Sequence, residues 1–388
     1  MKKKIPLVDN NITKSDIKTL IKFLKTNPRL SQGDKVEEFE NEFSAYLGVR
    51  YSVFVNSGSS ANLLMVYALM QSKELRNKKV VVPAIAWSTT VAPLLQLGLE
   101  PIICDVSDNL SLDVTEFKKI VEEHDPATLM LVHPLGFSTD MFEVGEICDR
   151  NDITLLEDTC ESLGSDYRGI ELGTFGLMST FSFFVSHHIT SIEGGMICTN
   201  DKDLYNLLKM LRSHGWDRDL DKYSQRNIRK ENNTSDFDAL YTFYYPSFNV
   251  RGTELNAVLG LEQLKRLDTI ACDREDNFWD YTRSMRENDL YVIQSNGNHL
   301  ISNFAYPIIH KDKEKIIKAL VDNGIECRPI VCGNIANQPF LKDKLKYPTE
   351  TPMADLVDKY GFYVPNHPHL ELDDINYVIN TIKNATEN

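Results

Sequence analysis

The chain has 388 residues, 42% of them hydrophobic and 25% charged, which supports two or three domains with a sizeable core and excludes wholesale disorder or a small staple-held module. Lys and Arg number 42 against 56 Asp and Glu, and the net charge of −14 disfavours nucleic acid and anionic membranes as partners while leaving room for a basic pocket around one small anionic ligand. The seven cysteines are odd in number, scattered and free of any Cys-x-x-Cys, so reduced thiols are expected, with no iron–sulfur cluster and no metal site. No stretch approaches eighteen apolar residues, and the Met1-Lys-Lys-Lys opening lacks an apolar run of signal-peptide length; a soluble, cytoplasmic protein is the expectation.

In chain order, a strand at Tyr51–Asn56 leads to a helix at Ala61–Lys73, and strands at Lys79–Pro83 and Glu100–Asp105 lead to a helix at Val114–Glu123. A strand at Ala127–His133 precedes a helix at Met141–Arg150, then a strand at Ile153–Asp158. Strands at Met178–Phe183 and Gly195–Thr199 and a helix at Asp203–Arg212 complete the pattern. This alternation predicts the α/β class, with seven strands in one large mixed sheet. The charge-dense stretch from Asp217 to Asp238 has little to bury and reads as a mobile or ligand-gated loop. Thr253–Leu267 reads as an amphipathic helix, and from about Cys272 a shorter α+β pattern runs to Asn384. The expected division is a large domain over 1–250 and a small C-terminal domain over 251–388.

Three segments carry candidate chemistry. Asn56-Ser-Gly-Ser-Ser-Ala61 links a strand to a helix, so free backbone N–H groups and small hydroxyls converge at a positive helix end, where a phosphate would sit. Leu155-Leu-Glu-Asp158 ends a strand in carboxylates facing the usual ligand crevice, and an aspartate there would keep a pyridine nitrogen protonated. Trp87 follows another strand and offers a face for a flat ring. Taken singly, each has a plainer reading: a capped helix, a solvated strand end, a packed aromatic.

Together with His133-Pro-Leu-Gly-Phe-Ser-Thr-Asp-Met141, Glu157-Asp-Thr-Cys-Glu-Ser-Leu-Gly164, Phe181-Ser-Phe183, Glu193-Gly-Gly195 and Phe248-Asn-Val-Arg251, these motifs occur in the order expected of one family. Over essentially its whole length the chain resembles the vitamin B6-dependent aminotransferases that act on nucleotide-linked keto sugars. The resemblance implies an aspartate aminotransferase-like fold (a fold type I PLP enzyme), pyridoxal 5'-phosphate or pyridoxamine 5'-phosphate as cofactor, and a homodimer with shared active sites. One departure matters. After Phe181-Ser-Phe the family places the lysine that holds the cofactor as an imine, and here the residue is His187, whose imidazole has no primary amine. With an ordinary pKa near ~6.5, His187 is instead a general base suited to neutral pH. Lysine-to-histidine at this place resembles the keto-sugar 3-dehydratase branch, and the scattered cysteines favour its iron-free, colitose-type members.

Carried over by position, the resemblance puts the cofactor phosphate on Gly58, Ser59 and Ser182 together with Asn249 of the partner subunit. Trp87 would cover the ring, Asp158 would hold its nitrogen, and Glu161 would lie near its oxygen, where many relatives lack a carboxylate. His214 would face the sugar; Arg218, Arg251 and Arg328 are candidate contacts for the nucleotide diphosphate, though each also reads as a surface arginine. The implied reaction is C3 deoxygenation of a nucleotide-linked 4-keto-6-deoxy sugar with L-glutamate as amine source, in deoxysugar synthesis for surface polysaccharide. Two rivals remain open: an aminotransferase using another lysine, such as Lys209 or Lys222, and a cofactor-binding protein without turnover.

Overall fold

The computed structural model describes residues 3–9, 11–72, 75–295 and 300–387, so Lys73, the expected end of one helix, lies outside the described residues. The first half of the chain runs α1 (Lys14–Leu24), α2 (Asp34–Leu47), β1 (Tyr51–Val55), α3 (Gly58–Ser72), β2 (Lys79–Pro83), α4 (Ser88–Gln96), β3 (Glu100–Cys104), α5 (Val114–His124), β4 (Thr128–Val132), α6 (Met141–Arg150) and β5 (Thr154–Asp158). A short hairpin, β6 (Asp166–Tyr167) and β7 (Ile170–Glu171), precedes β8 (Met178–Ser182), β9 (Gly195–Thr199), α7 (Lys202–Arg212) and α8 (Lys222–Glu231). The remainder is α9 (Glu254–Leu264), α10 (Leu267–Glu287), β10 (Tyr306–Ile309), α11 (Lys313–Asp322), α12 (Pro352–Tyr360), β11 (Gly361–Val364) and α13 (Leu372–Glu387).

The seven expected strands form one sheet in the order β1-β9-β8-β5-β4-β2-β3. Only β9 runs against its neighbours; the pairs β8–β5, β5–β4, β4–β2 and β2–β3 are parallel. Six strands therefore end at the same edge, which is where an open α/β sheet leaves its ligand crevice. Both faces are covered, as parallel strands require. Val80, Val82 and Met130 face one core, whereas Val81, Leu129 and Leu131 face a second, so alternate side chains of one strand serve opposite layers. A third cluster, rich in aromatics, packs Phe39, Phe43, Phe54, Phe181 and Phe183 edge to face beneath β1 and β8.

Two sequence expectations fail. The charge-dense stretch is not a continuous loop, because it contains α8, started by Asp221 accepting from the N–H groups of Tyr223 and Ser224. No α8 residue is buried; the helix is tied down by Arg229, whose Nε donates to the fully buried Asp217 at 2.6 Å and whose Nη1 meets Asp236 at 2.9 Å. The helix expected over 253–267 ends at Leu264, and a second, 21-residue helix starts at Leu267. Thr253 caps α9, whose Ala257, Val258, Gly260 and Gln263 are buried.

Candidate active site

A cavity of about 560 Å³ opens at the carboxyl edge of the sheet. Its floor is Asp158, the last residue of β5 and 4% exposed. Asp158 Oδ2 accepts from Asn62 Nδ2 on α3 at 2.8 Å and from Thr90 Oγ1 on α4 at 2.6 Å, and Oδ1 accepts from the Cys160 N–H at 3.2 Å. Thr180 Oγ1, donating to Asn62 Oδ1 at 2.6 Å, fixes which way the amide points. Among the described residues no arginine, lysine or histidine pairs with Asp158, so this buried carboxylate has hydrogen-bond donors but no protein cation. Buried charges ordinarily have a counter-charge. A protonated pyridine nitrogen is the counter-ion such a site fits.

Beside it, α3 begins at Gly58. Ser57 Oγ accepts from the Ser60 N–H at 3.1 Å, and the Ala61 N–H reaches Ser57 O at 3.0 Å, which leaves the first-turn N–H groups of Gly58 and Ser59 at the cavity wall. Gly58 is required by space. A Cβ there would sit 2.6 Å from Ser182 Cβ, so only glycine lets the helix end approach β8 this closely. Ser59 Oγ and Thr89 Oγ1 are 3.0 Å apart. A helix N-terminus ringed by small hydroxyls matches a phosphate group in charge and donor set. Trp87, 53% exposed, stands at the start of α4 on the same wall and presents a free ring face.

His187 lies opposite, in a turn closed by its own N–H on Phe184 O at 3.0 Å. The loop that carries it is pinned by Asn11 Nδ2 on Val185 O, by the Thr190 N–H on Gln263 Oε1 at 2.8 Å and by Asn256 Nδ2 on Ser191 O at 2.6 Å. The half-buried ring packs edge-on against Phe304, 5.2 Å between centroids. Nδ1 donates to Ser182 O at 3.3 Å, which leaves Nε2 as the basic nitrogen. The sequence expectation of an unperturbed imidazole is corrected here: burial, aided by the charge of Arg274, lowers His187 to about 4 despite the Ser182 carbonyl. It is therefore neutral throughout the neutral range. His188 plays a different part, donating from Nε2 to Ser302 O at 2.8 Å, and burial holds it well below the ordinary imidazole range.

Glu161 completes the wall. Its Oε2 accepts from the Leu135 N–H at 3.2 Å, and burial, with the nearby Asp158 charge, raises its carboxyl to about 7. A group that gives up a proton near neutrality thus shares the cavity with one that remains unprotonated.

Of the residues singled out from sequence, Gly58, Ser59, Trp87, Asp158, Glu161, Ser182, His187 and Arg328 line this one cavity. Exposed Arg328 sits at its mouth beside Tyr363, to which it is joined by backbone pairing. His214, Arg218, Asn249 and Arg251 are elsewhere on the same chain, gathered around Trp216. Arg218 stacks on that indole at 3.9 Å and donates to Leu240 O, while Arg251 Nε donates to Asn249 Oδ1 at 3.0 Å. Sequence reading missed Asn62, Thr89, Thr90 and Phe304. Asn62 had a usable signal, lying one helical turn past Gly58 on the same face. Among the described residues no lysine lines the cavity; Lys209 lies against Tyr205, its Nζ 3.4 Å from the phenol oxygen.

Residues 10–383 match the DegT/DnrJ/EryC1/StrS aminotransferase family. The chain belongs to that family. Among its relatives are two proteins named GDP-4-keto-6-deoxy-D-mannose 3-dehydratase: one from Yersinia pseudotuberculosis, 35% identical over 97% of this chain and 98% of its own, and one from Escherichia coli O55:H7, 39% identical over 91% and 93%. A solved GDP-4-keto-6-deoxymannose-3-dehydratase with a trapped PLP-glutamate geminal diamine superposes with a TM-score of 0.90 at 33% identity, covering 98% of this chain and all of its own. The family chain described here is accordingly an enzyme with the fold type I architecture expected from its motifs.

Proposed function

We propose that this enzyme removes the C3 oxygen of a nucleotide-linked 4-keto-6-deoxy sugar, with GDP-4-keto-6-deoxy-D-mannose as substrate, L-glutamate as amine source and pyridoxal 5'-phosphate as cofactor. The observation that carries this reading is His187 in a cavity with no lysine among its described lining residues. When bound in its amine form, the cofactor supplies the nitrogen that joins the sugar's C4 and a ring that accepts electrons.

The chain's own residues do the rest. The Gly58 and Ser59 N–H groups with Ser182 bind the phosphate, Trp87 covers the ring, and Asp158, oriented by Asn62 and Thr90, holds the proton on the ring nitrogen. His187 Nε2, already unprotonated, would take up the proton released beside the cofactor's amine and deliver it to the departing C3 hydroxyl, which would leave as water. Having no amine, His187 cannot displace the sugar from the cofactor as a lysine would. Hydrolysis then yields ammonia and a 3-deoxy-4-keto sugar, with 2-oxoglutarate from the glutamate. Arg328 contacts the anionic substrate at the mouth.

The His214–Arg218–Asn249–Arg251 group does not line the cavity of its own chain, although Arg251 pairs with Val55 just before Ser57, and it serves the cavity of a second copy in a homodimer; sedimentation that returned only monomer in the presence of cofactor would sink this. The large and small domains meet near residue 250, and the enzyme works in the cytoplasm. Among the described residues no helix is long and apolar enough to cross a membrane.

The test is mass spectrometry of products from purified protein, pyridoxal 5'-phosphate, L-glutamate and a panel of nucleotide 4-keto-6-deoxy sugars. Ammonia and a sugar lacking its C3 oxygen are expected, with the GDP sugar turned over fastest. Nitrogen retained on the sugar would instead establish an aminotransferase.

A further inference from the structure

Arg274 on α10 is 2% exposed and has no carboxylate partner among the described residues. Its Nη1 donates to three main-chain carbonyls, Asn366 O at 2.7 Å, Phe304 O at 2.9 Å and Asn303 O at 3.4 Å, while its Nε finds no partner. A buried guanidinium satisfied only by carbonyl dipoles is costly to keep. What those carbonyls belong to gives it a purpose.

The segment 302–304 touches both histidines of the site. Ser302 O accepts from His188 Nε2 at 2.8 Å, and the Phe304 ring supports the edge-on His187. The same segment reaches the acid on the other side of the cavity: Asn303 Nδ2 donates to Leu135 O at 2.7 Å, and the Leu135 N–H holds Glu161. Leu135 has φ 53, a conformation a branched side chain adopts only where its surroundings impose it. Next to it, a Cβ on Gly136 would lie 2.9 Å from Ser302 O, so the two segments are in close backbone contact. Asn366 locks the far side, its Nδ2 donating to Arg274 O, Asn303 O and Asn303 Oδ1 at 2.9–3.1 Å.

We propose that Arg274 is a positioning residue for His187, acting through the 302–304 segment that it fastens against the histidine pair. The proposal rests on the reading of His187 as the acid–base group. Besides holding Phe304 in place, the guanidinium places a fixed positive charge near an imidazole that must stay unprotonated. The charged and titratable groups that face His187 are Arg274 from α10, Asp158 from β5, the adjacent His188, and Glu161, Glu193 and Arg328 from the rest of the cavity lining; Arg274 opposes protonation and Asp158 favours it.

The test compares Arg274→Met, Arg274→Lys and Phe304→Leu. His187 ring titration is followed by NMR on histidine-labelled protein, assigned with His187→Asn, and kcat and KM for dehydration are measured against pH. Arg274→Met should raise the His187 midpoint by about 1 pH unit and lower kcat about tenfold with KM little changed, whereas Arg274→Lys should keep the depressed midpoint. A folded Arg274→Met protein with an unchanged midpoint and kcat overturns the proposal. Should that variant not fold, Phe304→Leu carries the test, because loss of the aromatic support must lower kcat and broaden the His187 ring signal; wild-type values for both overturn it. The NMR titration needs no substrate, so a shifted midpoint in a protein that never yields a 3-deoxy sugar would overturn the assigned reaction and leave the placement standing.

Discussion

Replacing Glu161 by glutamine tests whether the cavity holds a neutral carboxyl. The amide keeps the shape and can still accept from the Leu135 N–H, but cannot ionise. The folded protein raises the Glu161 pKa from 4.5 to about 7, chiefly by burial. The folded state therefore binds the proton more tightly than the unfolded chain, and the associated stability is present below pH 4.5 and is lost as pH rises through 7. Each pH unit of displacement corresponds to ~1.4 kcal/mol, so the full loss is at most about 3 kcal/mol. For a chain of this length, with an unfolding entropy near ~2 cal/mol/K per residue, that is roughly 4 °C in Tm. Thermal unfolding of cofactor-free wild type and Glu161→Gln, measured from pH 5 to 8, should give curves that nearly coincide at the acid end and separate by about this amount at the alkaline end, the variant being more stable. The opposite dependence of His187 is common to both proteins and cancels in the difference. A constant gap across the range would refute the reasoning, because it would mean that Glu161 titrates alike in folded and unfolded chains.

Other consequences follow from the same geometry. His187→Lys should abolish deoxygenation and leave the cofactor covalently attached, which borohydride reduction and intact-mass measurement would detect; non-covalent cofactor in that variant would argue that residue 187 does not reach the cofactor. With Asp158 as the proposed counter-ion of the ring nitrogen, Asp158→Asn should weaken cofactor binding roughly tenfold to a hundredfold, or about 1–3 kcal/mol, by equilibrium dialysis. His187, His188 and His367 are all held below the ordinary imidazole pKa, chiefly by burial, so their contribution is present above pH 6.5 and disappears as pH falls; for His187 and His367 the loss extends to about pH 4. Glu161 and Glu171, both raised to about 7, act in the opposite sense, so the check is the difference between wild type and His367→Gln: a urea-midpoint gap that stayed constant from pH 6.5 to 4.5 would contradict this. Arg212, 1% exposed, donates to Glu40 and to Phe54 O beneath the strand that leads to Ser57, and Arg212→Met should cost about 3–5 kcal/mol by stranding the Glu40 carboxylate.

The strands were legible because a parallel sheet covered on both faces needs short, continuous apolar runs, and the seven runs have the composition such strands demand. Asp158 and Gly58 were legible for a related reason, since each sits at or just beyond a strand end, where local sequence decides what faces the crevice, whereas His187 was legible only through the resemblance, as the residue at the family's lysine position. Helix α8 was not legible, because nothing on it is buried and its order depends on Arg229 reaching Asp217 outside the helix. The same limit applied to the break between α9 and α10, where Arg266 leaves helical geometry and donates both guanidinium arms to Asp16, far away in the chain. The sequence by itself determined the chemical kinds present: an acid at a strand end, a glycine at a helix start, an imidazole where the family pattern has an amine. Only the tertiary structure decided their protonation. Burial, not residue type, makes His187 a base that is unprotonated at neutral pH and raises Glu161 toward neutrality, and Arg274, more than eighty residues from either histidine, enters the site only because the chain folds back upon itself.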